Sequence, residues 1–172
     1  MALSLYDISV PVYRQFLRAL TGVLDKGEKY CAEKGIEQAA MFATRLVEDM
    51  QPLSFQIAQA ISHSAGALAT MRGQQRPRPS GVDTFAGAKQ AIEQALADLE
   101  AITPADLEAV APNNVELKFP GRELKFTSLG FLQSYAVPQF FFHVTTAYGI
   151  LRHKGVPIGK RDFLGRVQLL TA

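Results

Sequence analysis

The chain carries three histidines, His63, His143 and His153, and one cysteine, Cys31. Neutral imidazole binds first-row divalent metals, and with a pKa near 6.5 it can also act as a general base around neutral pH. His143 directly follows Phe140, Phe141 and Phe142 and stands four residues after Gln139. That spacing stacks Gln139 and His143 one helical turn apart, on a face shared with Leu132, Tyr135, Ala136, Phe142, Thr146, Ala147 and Ile150. His63 follows Gln56, Gln59 and Ala60 at spacings of seven, four and three, at the margin of a second apolar stripe. Two histidines from separate helices can therefore converge in a bundle core. A catalytic zinc takes three protein ligands, and the third candidate is the amide of Gln139, a poor donor. The plainer reading is a pair of core histidines satisfied by hydrogen bonds.

The other reactive groups point elsewhere. His153 stands beside Lys154 near a helix end, where its expected partners are terminal carbonyls. Cys31 precedes Ala32, Glu33 and Lys34, which suggests a solvated or half-buried structural thiol. One cysteine excludes an intrachain disulfide and any site with several thiolates. Arg45 and Asp49 lie four apart and are expected to pair, with Asp49 capping the next helix. Lys160 and Arg161, in "GKRDFLG", read as a solvated basic stretch with an anion site as the alternative.

Length and composition bound the rest. A chain of 172 residues, 48% hydrophobic and 20% charged, is one ordinary domain that buries roughly 70% of its unfolded surface. Eighteen basic and 16 acidic residues leave a net charge of +2, too even to call for a polyanionic partner, so no nucleic-acid partner is expected. The start, "MALSLYDISV", lacks a basic region and a long apolar run, and no window approaches the ~18 apolar residues of a membrane span. A soluble, cytoplasmic protein without a membrane partner is the expectation.

The elements that must position the histidines are mostly helical. Ile8, Val12, Phe16, Ala19, Leu20 and Val23 form one stripe, with Ser9 or Asp7 as cap and Pro11 in the first turn. Gly22 and Gly27 suggest a break, followed by a polar helix from Lys26 to Lys34 that stops at Gly35. Another helix starts near Asp49 with Pro52 in its first turn; Leu53, Ile57, Ala60, Ile61, Ser64 and Leu68 form its inner face, and Gly73 ends it. "GQQRPRPSG" is a loop by composition. Thr84 caps a third helix whose core face is Phe85, Ala88, Ile92, Ala95, Leu96 and Leu99. "VELKFPGRELKF" alternates around Pro120-Gly121 and reads as a β-hairpin. The last helix opens near Thr127 or Ser128 and runs to about Lys154, with Pro138 either kinking it beside the site or bending it around the phenylalanines. The predicted fold is an all-α, up-down four-helix bundle with a hairpin inserted before the last long helix.

The stretches "LSLYDISVPVY", "RLVEDMQPLSFQ", "LKFPGRELKFT" and "FHVTTAYGILRHKGVPIGKRDFLG" resemble a bacterial domain-of-unknown-function family. That family is similar to the DinB/YfiT-like four-helix bundles, which include metalloenzymes and low-molecular-weight-thiol transferases. The resemblance runs from about Leu3 to Gly165. It implies a homodimer and a divalent metal, zinc, nickel or iron, held by one histidine on the second helix and two spaced four apart on the last. His63, His143, Arg152 and Gly155 match the spacing of that pattern, but Gln139 stands where the remaining histidine belongs. The implied set is thus His63, His143 and Gln139, a weakened or vestigial site that holds a metal loosely or none.

Two functional readings follow. One is a hydrolase or thiol transferase in which a metal activates water or a thiol with Gln139 orienting it, or in which a histidine beside Phe140 to Phe142 acts as base without metal. The other is a non-catalytic dimeric module for a small-molecule ligand, or a stress-related accessory protein. Its subunit contacts would come from Phe131, Leu132 or the tail "RVQLLTA".

Overall fold

The computed structural model describes residues 3–77 and 79–169. Its elements in chain order are α1 (Val10–Lys34), α2 (Gln38–Phe42), α3 (Leu53–Ser62), α4 (Ala65–Met71), α5 (Phe85–Glu100), α6 (Pro104–Val110), β1 (Asn114–Phe119), β2 (Arg122–Thr127), α7 (Ser128–Phe131), α8 (Val137–His153) and α9 (Lys160–Leu164). Four rods close a ring of contacts: α1 packs on α5, α5 on α3, α3 on α8, and α8 back on α1. This is the helical bundle expected, with its hairpin. Leu17, Leu24, Leu53, Ile57, Phe85, Ile92 and Phe140 fill its centre. Burying each such side chain contributes roughly 1.5–3 kcal/mol.

The first rod is one unbroken helix rather than two. Its two glycines are tolerated because the helix is buried along one side, and Gly27 has a packing role. A Cβ there would stand 3.1 Å from the Phe85 ring and 3.3 Å from Leu151, so the missing side chain lets α5 and α8 approach α1. Gly35 ends the rod in the left-handed conformation at φ 63, its N–H on the Cys31 carbonyl. Neither expected cap is made. Ser9 Oγ donates to Leu5 O (2.6 Å), and Asp7 instead accepts from Ser4 in the preceding turn.

Further corrections come from local hydrogen bonds. Arg45 donates to Met50 O (2.5 Å) instead of pairing with Asp49, and the residue that enters α3 is extended Pro52. "GKRDFLG" forms α9: the Asp162 carboxylate accepts from the Gly159 N–H (2.8 Å) and pairs with Lys26 (2.6 Å). The capping box of Thr103 and Asp106 starts α6, an element the apolar periodicity does not announce. Cys31 is buried, and burial pushes its thiol pKa up. The thiolate is disfavoured there, which agrees with a structural role. The hairpin is as expected, Val115 opposite Phe126 and Leu117 opposite Leu124, with Gly121 at φ 73 in the turn.

The last rod shows how Pro138 is housed. Thr127 caps its start through Gly130 N–H (3.1 Å). Between α7 and α8, Leu132–Ala136 is a π-helical turn, and Val137 N–H bonds Leu132 O, five residues back. Proline has no N–H to give and its ring crowds the carbonyl four residues earlier. The wider π turn relieves both problems, and Pro138 then falls in the first turn of α8. The core stripe of α8 runs through Phe140, Val144, Ala147, Ile150 and Leu151. Gln139 and His143 occupy its flank, and Phe142 is 55% exposed, contrary to the inward placement expected. Phe131 and Leu132 are buried, so they are not available as subunit contacts. Val167 and Leu169 of the tail are exposed, and Leu170–Ala172 lie outside the described residues. Among the described residues no helix is long and apolar enough to cross a membrane.

Tyr13 is fully buried, its ring 4.8 Å from and edge-on to Phe140, and its hydroxyl has no hydrogen-bond partner among the described residues. An unpaired buried hydroxyl costs about 1–3 kcal/mol. Tyr13→Phe is expected to leave the fold intact and raise stability by about 1 kcal/mol in chemical denaturation. A comparable loss of stability would show instead that the hydroxyl is paired.

Candidate functional site

His63 sits at an interruption of the second rod. α3 ends at Ser62, His63 leaves helical geometry at φ −93 and ψ 3, and α4 begins two residues later. Ser64 helps to cause the break. Its hydroxyl donates to Ala60 O (2.8 Å) and Ile61 O (3.1 Å), competing for carbonyls of the preceding turn. The break leaves Ser62 O available, and Arg76 reaches it from the loop beyond α4. Arg76 Nε and Nη2 both donate to that carbonyl, at 3.1 and 2.8 Å. The same Nη2 stands 3.3 Å from His63 Nδ1.

His143 comes from α8 and meets His63 face to face. Their rings lie 5.5 Å apart with planes 10° from parallel. His143 Nδ1 is 2.7 Å from Gln56 Oε1, and Gln56 Nε2 donates to Gln51 O (2.9 Å). Gln56 is itself buried, one helical stretch below His63 on the same rod. These partners set opposite tautomers. A guanidinium only donates, so His63 Nδ1 accepts and its proton resides on Nε2. Gln56 offers its carbonyl oxygen, so His143 keeps its proton on Nδ1 and its lone pair on Nε2. The pair thus presents one donor and one acceptor, neither with a protein partner among the described residues.

Both rings line a cavity of about 650 Å³ together with Phe55, Arg76, Tyr135 and Gln139. A second groove of about 600 Å³, along α5, holds none of these groups. Burial, the Arg76 charge and the neighbouring ring push the His63 pKa down to about 3, and burial pushes His143 down to about 4. Both are neutral near pH 7. Tyr135 packs edge-on against His63 at 5.6 Å, and Phe142 edge-on against His143 at 5.2 Å.

The structure therefore brings His63 and His143 together and leaves Gln139 half-buried at the same cavity. Arg152 and His153 are exposed at the far end of α8 and take no part. Two contributors were not legible in the sequence: Arg76, from a stretch that reads as loop, and Gln56 as the partner of His143. Only the heptad spacing from Gln56 to His63 hinted that both face the same way.

The donor set does not fit a resident divalent metal. His143 is posed as a ligand, because Nδ1–H held on an oxygen orients the free Nε2. His63 is not, because Arg76 holds its proton on Nε2 and sets a positive charge beside the ring. Gln139 adds an amide in place of a third imidazole, and among the described residues no carboxylate lines the cavity. Among the described residues no three His, Cys, Asp or Glu side chains form a group that could hold a metal.

The lowered histidine pKa values have a direct consequence for stability. In the unfolded chain both rings take up protons as pH falls through about 6.5; in the folded protein they resist until about 3 and 4. The unfolded state binds more protons across that window, so stability falls as pH drops from about 6.5 toward 4. His63→Gln and His143→Gln should each flatten the fall in melting temperature between pH 7 and 4.5. An unchanged slope in both variants would mean that the rings are not shielded neutral groups.

The comparisons agree with this architecture. Residues 5–164 match the model of a domain of unknown function, DUF1993. A DinB family member protein from Shewanella denitrificans is 32% identical, aligns over 98% of this chain and 96% of its own, and superposes with a TM-score of 0.84. No curated protein matches. The chain is a member of the DUF1993 family, and its fold is that of the DinB-like helical bundles.

Proposed function

We propose that this protein is a small-molecule-binding member of the DinB-like bundles whose metal site has been converted into a metal-independent pocket. The observation that carries the reading is the Arg76 Nη2 contact with His63 Nδ1 at 3.3 Å. An arginine in that position replaces the charge a metal would bring and makes the ring a hydrogen-bond donor toward the cavity. The Gln56 contact leaves His143 as the matching acceptor. An imidazole with a pKa near 4 is a weak proton acceptor at neutral pH, which favours binding over general-base chemistry.

Metal analysis of protein purified without a histidine tag tests the proposal, with no stoichiometric zinc, nickel or iron expected. One equivalent of metal that disappears in His63→Ala would overturn it. Restoring the lost ligand separates the contributions further. Gln139→His alone should gain little zinc affinity, because Arg76 still holds His63 in the wrong tautomer. Gln139→His combined with Arg76→Met should bind zinc about tenfold or more tighter than the single variant. Equal affinities for the two would remove the inhibitory role assigned to Arg76.

A further inference from the structure

The cavity has one charged lining residue among those described, Arg76. Its guanidinium is only partly consumed by the protein. Nε and one side of Nη2 are held by Ser62 O, and the other side of Nη2 meets His63. Nη1 has no partner among the described residues, and Arg76 makes no ion pair there, although the surface arginines Arg14 and Arg18 share Glu100 and Lys26 pairs with Asp162. Burial also lowers the Arg76 pKa, the sign that the cation is incompletely solvated. A half-buried guanidinium, clamped by a backbone carbonyl and left without a counter-ion, is a prepared anion site.

We propose that the pocket binds a small monocarboxylate carrying a hydroxyl or amine near the carboxylate, with Arg76 as the anion anchor. Arg76 Nη1 and the Nε2–H of His63 donate to the carboxylate oxygens, and the Nε2 lone pair of His143 accepts from the ligand's hydroxyl or amine. One guanidinium matches one negative charge. A phosphate dianion would need a second cation, and among the described residues Arg76 is the one charged group of the lining. The donor and the acceptor come from facing rings whose centroids lie 5.5 Å apart, so a ligand that carries a hydroxyl or amine beside its carboxylate engages both rings, which distinguishes a 2-hydroxy acid from its simple acid. This assignment rests on the metal-independent reading and names the class of ligand for the same pocket.

The test uses the full chain with lactate, propanoate, lactamide and inorganic phosphate as probes, each titrated through the millimolar range at constant ionic strength and followed by calorimetry and melting temperature. Lactate is expected to bind saturably, propanoate more weakly, and neutral lactamide and phosphate not measurably. Arg76→Met should weaken lactate about tenfold or more, the loss of one charge-assisted pair, and Arg76→Lys should retain part of the affinity. His143→Phe should erase the preference for lactate over propanoate while leaving propanoate unchanged. If Arg76→Met does not fold, as judged by circular dichroism, the Arg76→Lys and His143→Phe comparisons decide alone. Absence of saturable carboxylate binding, phosphate bound more tightly than lactate, or lactate affinity unchanged by every Arg76 and His143 variant would each overturn the proposal. Metal content measured on the same preparation keeps the two ideas apart. Metal-loaded protein defeats the metal-independent reading, whereas metal-free protein that ignores carboxylates defeats only the assignment of ligand.

Discussion

The contact on which the site depends is between the Arg76 guanidinium and the end of the broken second rod. A continuous helix through His63 would have used the Ser62 carbonyl within its own ladder. Ser64 diverts the ladder, the rod divides into α3 and α4, and Ser62 O is released to accept two N–H groups from Arg76. One local defect therefore does two things. It presents His63 at the helix break, and it anchors a cation against the ring. The loop that carries Arg76 is held at this point by the same bonds, so backbone satisfaction and site electrostatics are one arrangement.

The second defect, the π turn before Pro138, acts on the opposite wall. It accommodates a proline that a regular helix would not tolerate, and it sets the phase of α8 so that Phe140 and Val144 fill the core while His143 flanks the cavity. Rods one and three, α1 and α5, have no part in the site chemistry. They supply the apolar backing, including the close approach allowed by Gly27, against which two irregular helices hold their geometry. The pocket is thus built from the two rods that depart from ideal helices, supported by the two that do not.

Electrostatically the site differs from what its donor residues suggest in isolation. Two imidazoles facing each other are commonly read as half of a metal site. Here their outer nitrogens meet different partners: Gln56 makes one ring an acceptor toward the cavity, and Arg76 makes the other a donor. The resulting pair is a neutral, polarised clamp beside the fixed charge of Arg76. That is the physical basis of the metal-independent reading proposed for this pocket.

Much of the fold was legible in the amino-acid sequence, because hydrophobic periodicity reports directly which faces must leave water. The core faces of α5 and of the hairpin, the Thr84 cap and the Gly35 stop follow from local rules that tertiary context did not override. The pairing of His63 with His143 was also within reach, since both lie on the inner flanks of long apolar stripes. Helix continuity was not legible at Gly27, where burial against Phe85 and Leu151 outweighs glycine's weak propensity, nor at His63, where a serine hydroxyl redirects the backbone. Short capped elements such as α6 and α9 lack enough periodicity to register. Above all, the sequence could name the two imidazoles but not their outer partners. Arg76 and Gln56 acquire meaning only when a loop and a buried amide, far from His143 along the chain, are folded against it. Tautomer, charge and ligand preference are properties of those contacts, and only the tertiary structure decides them.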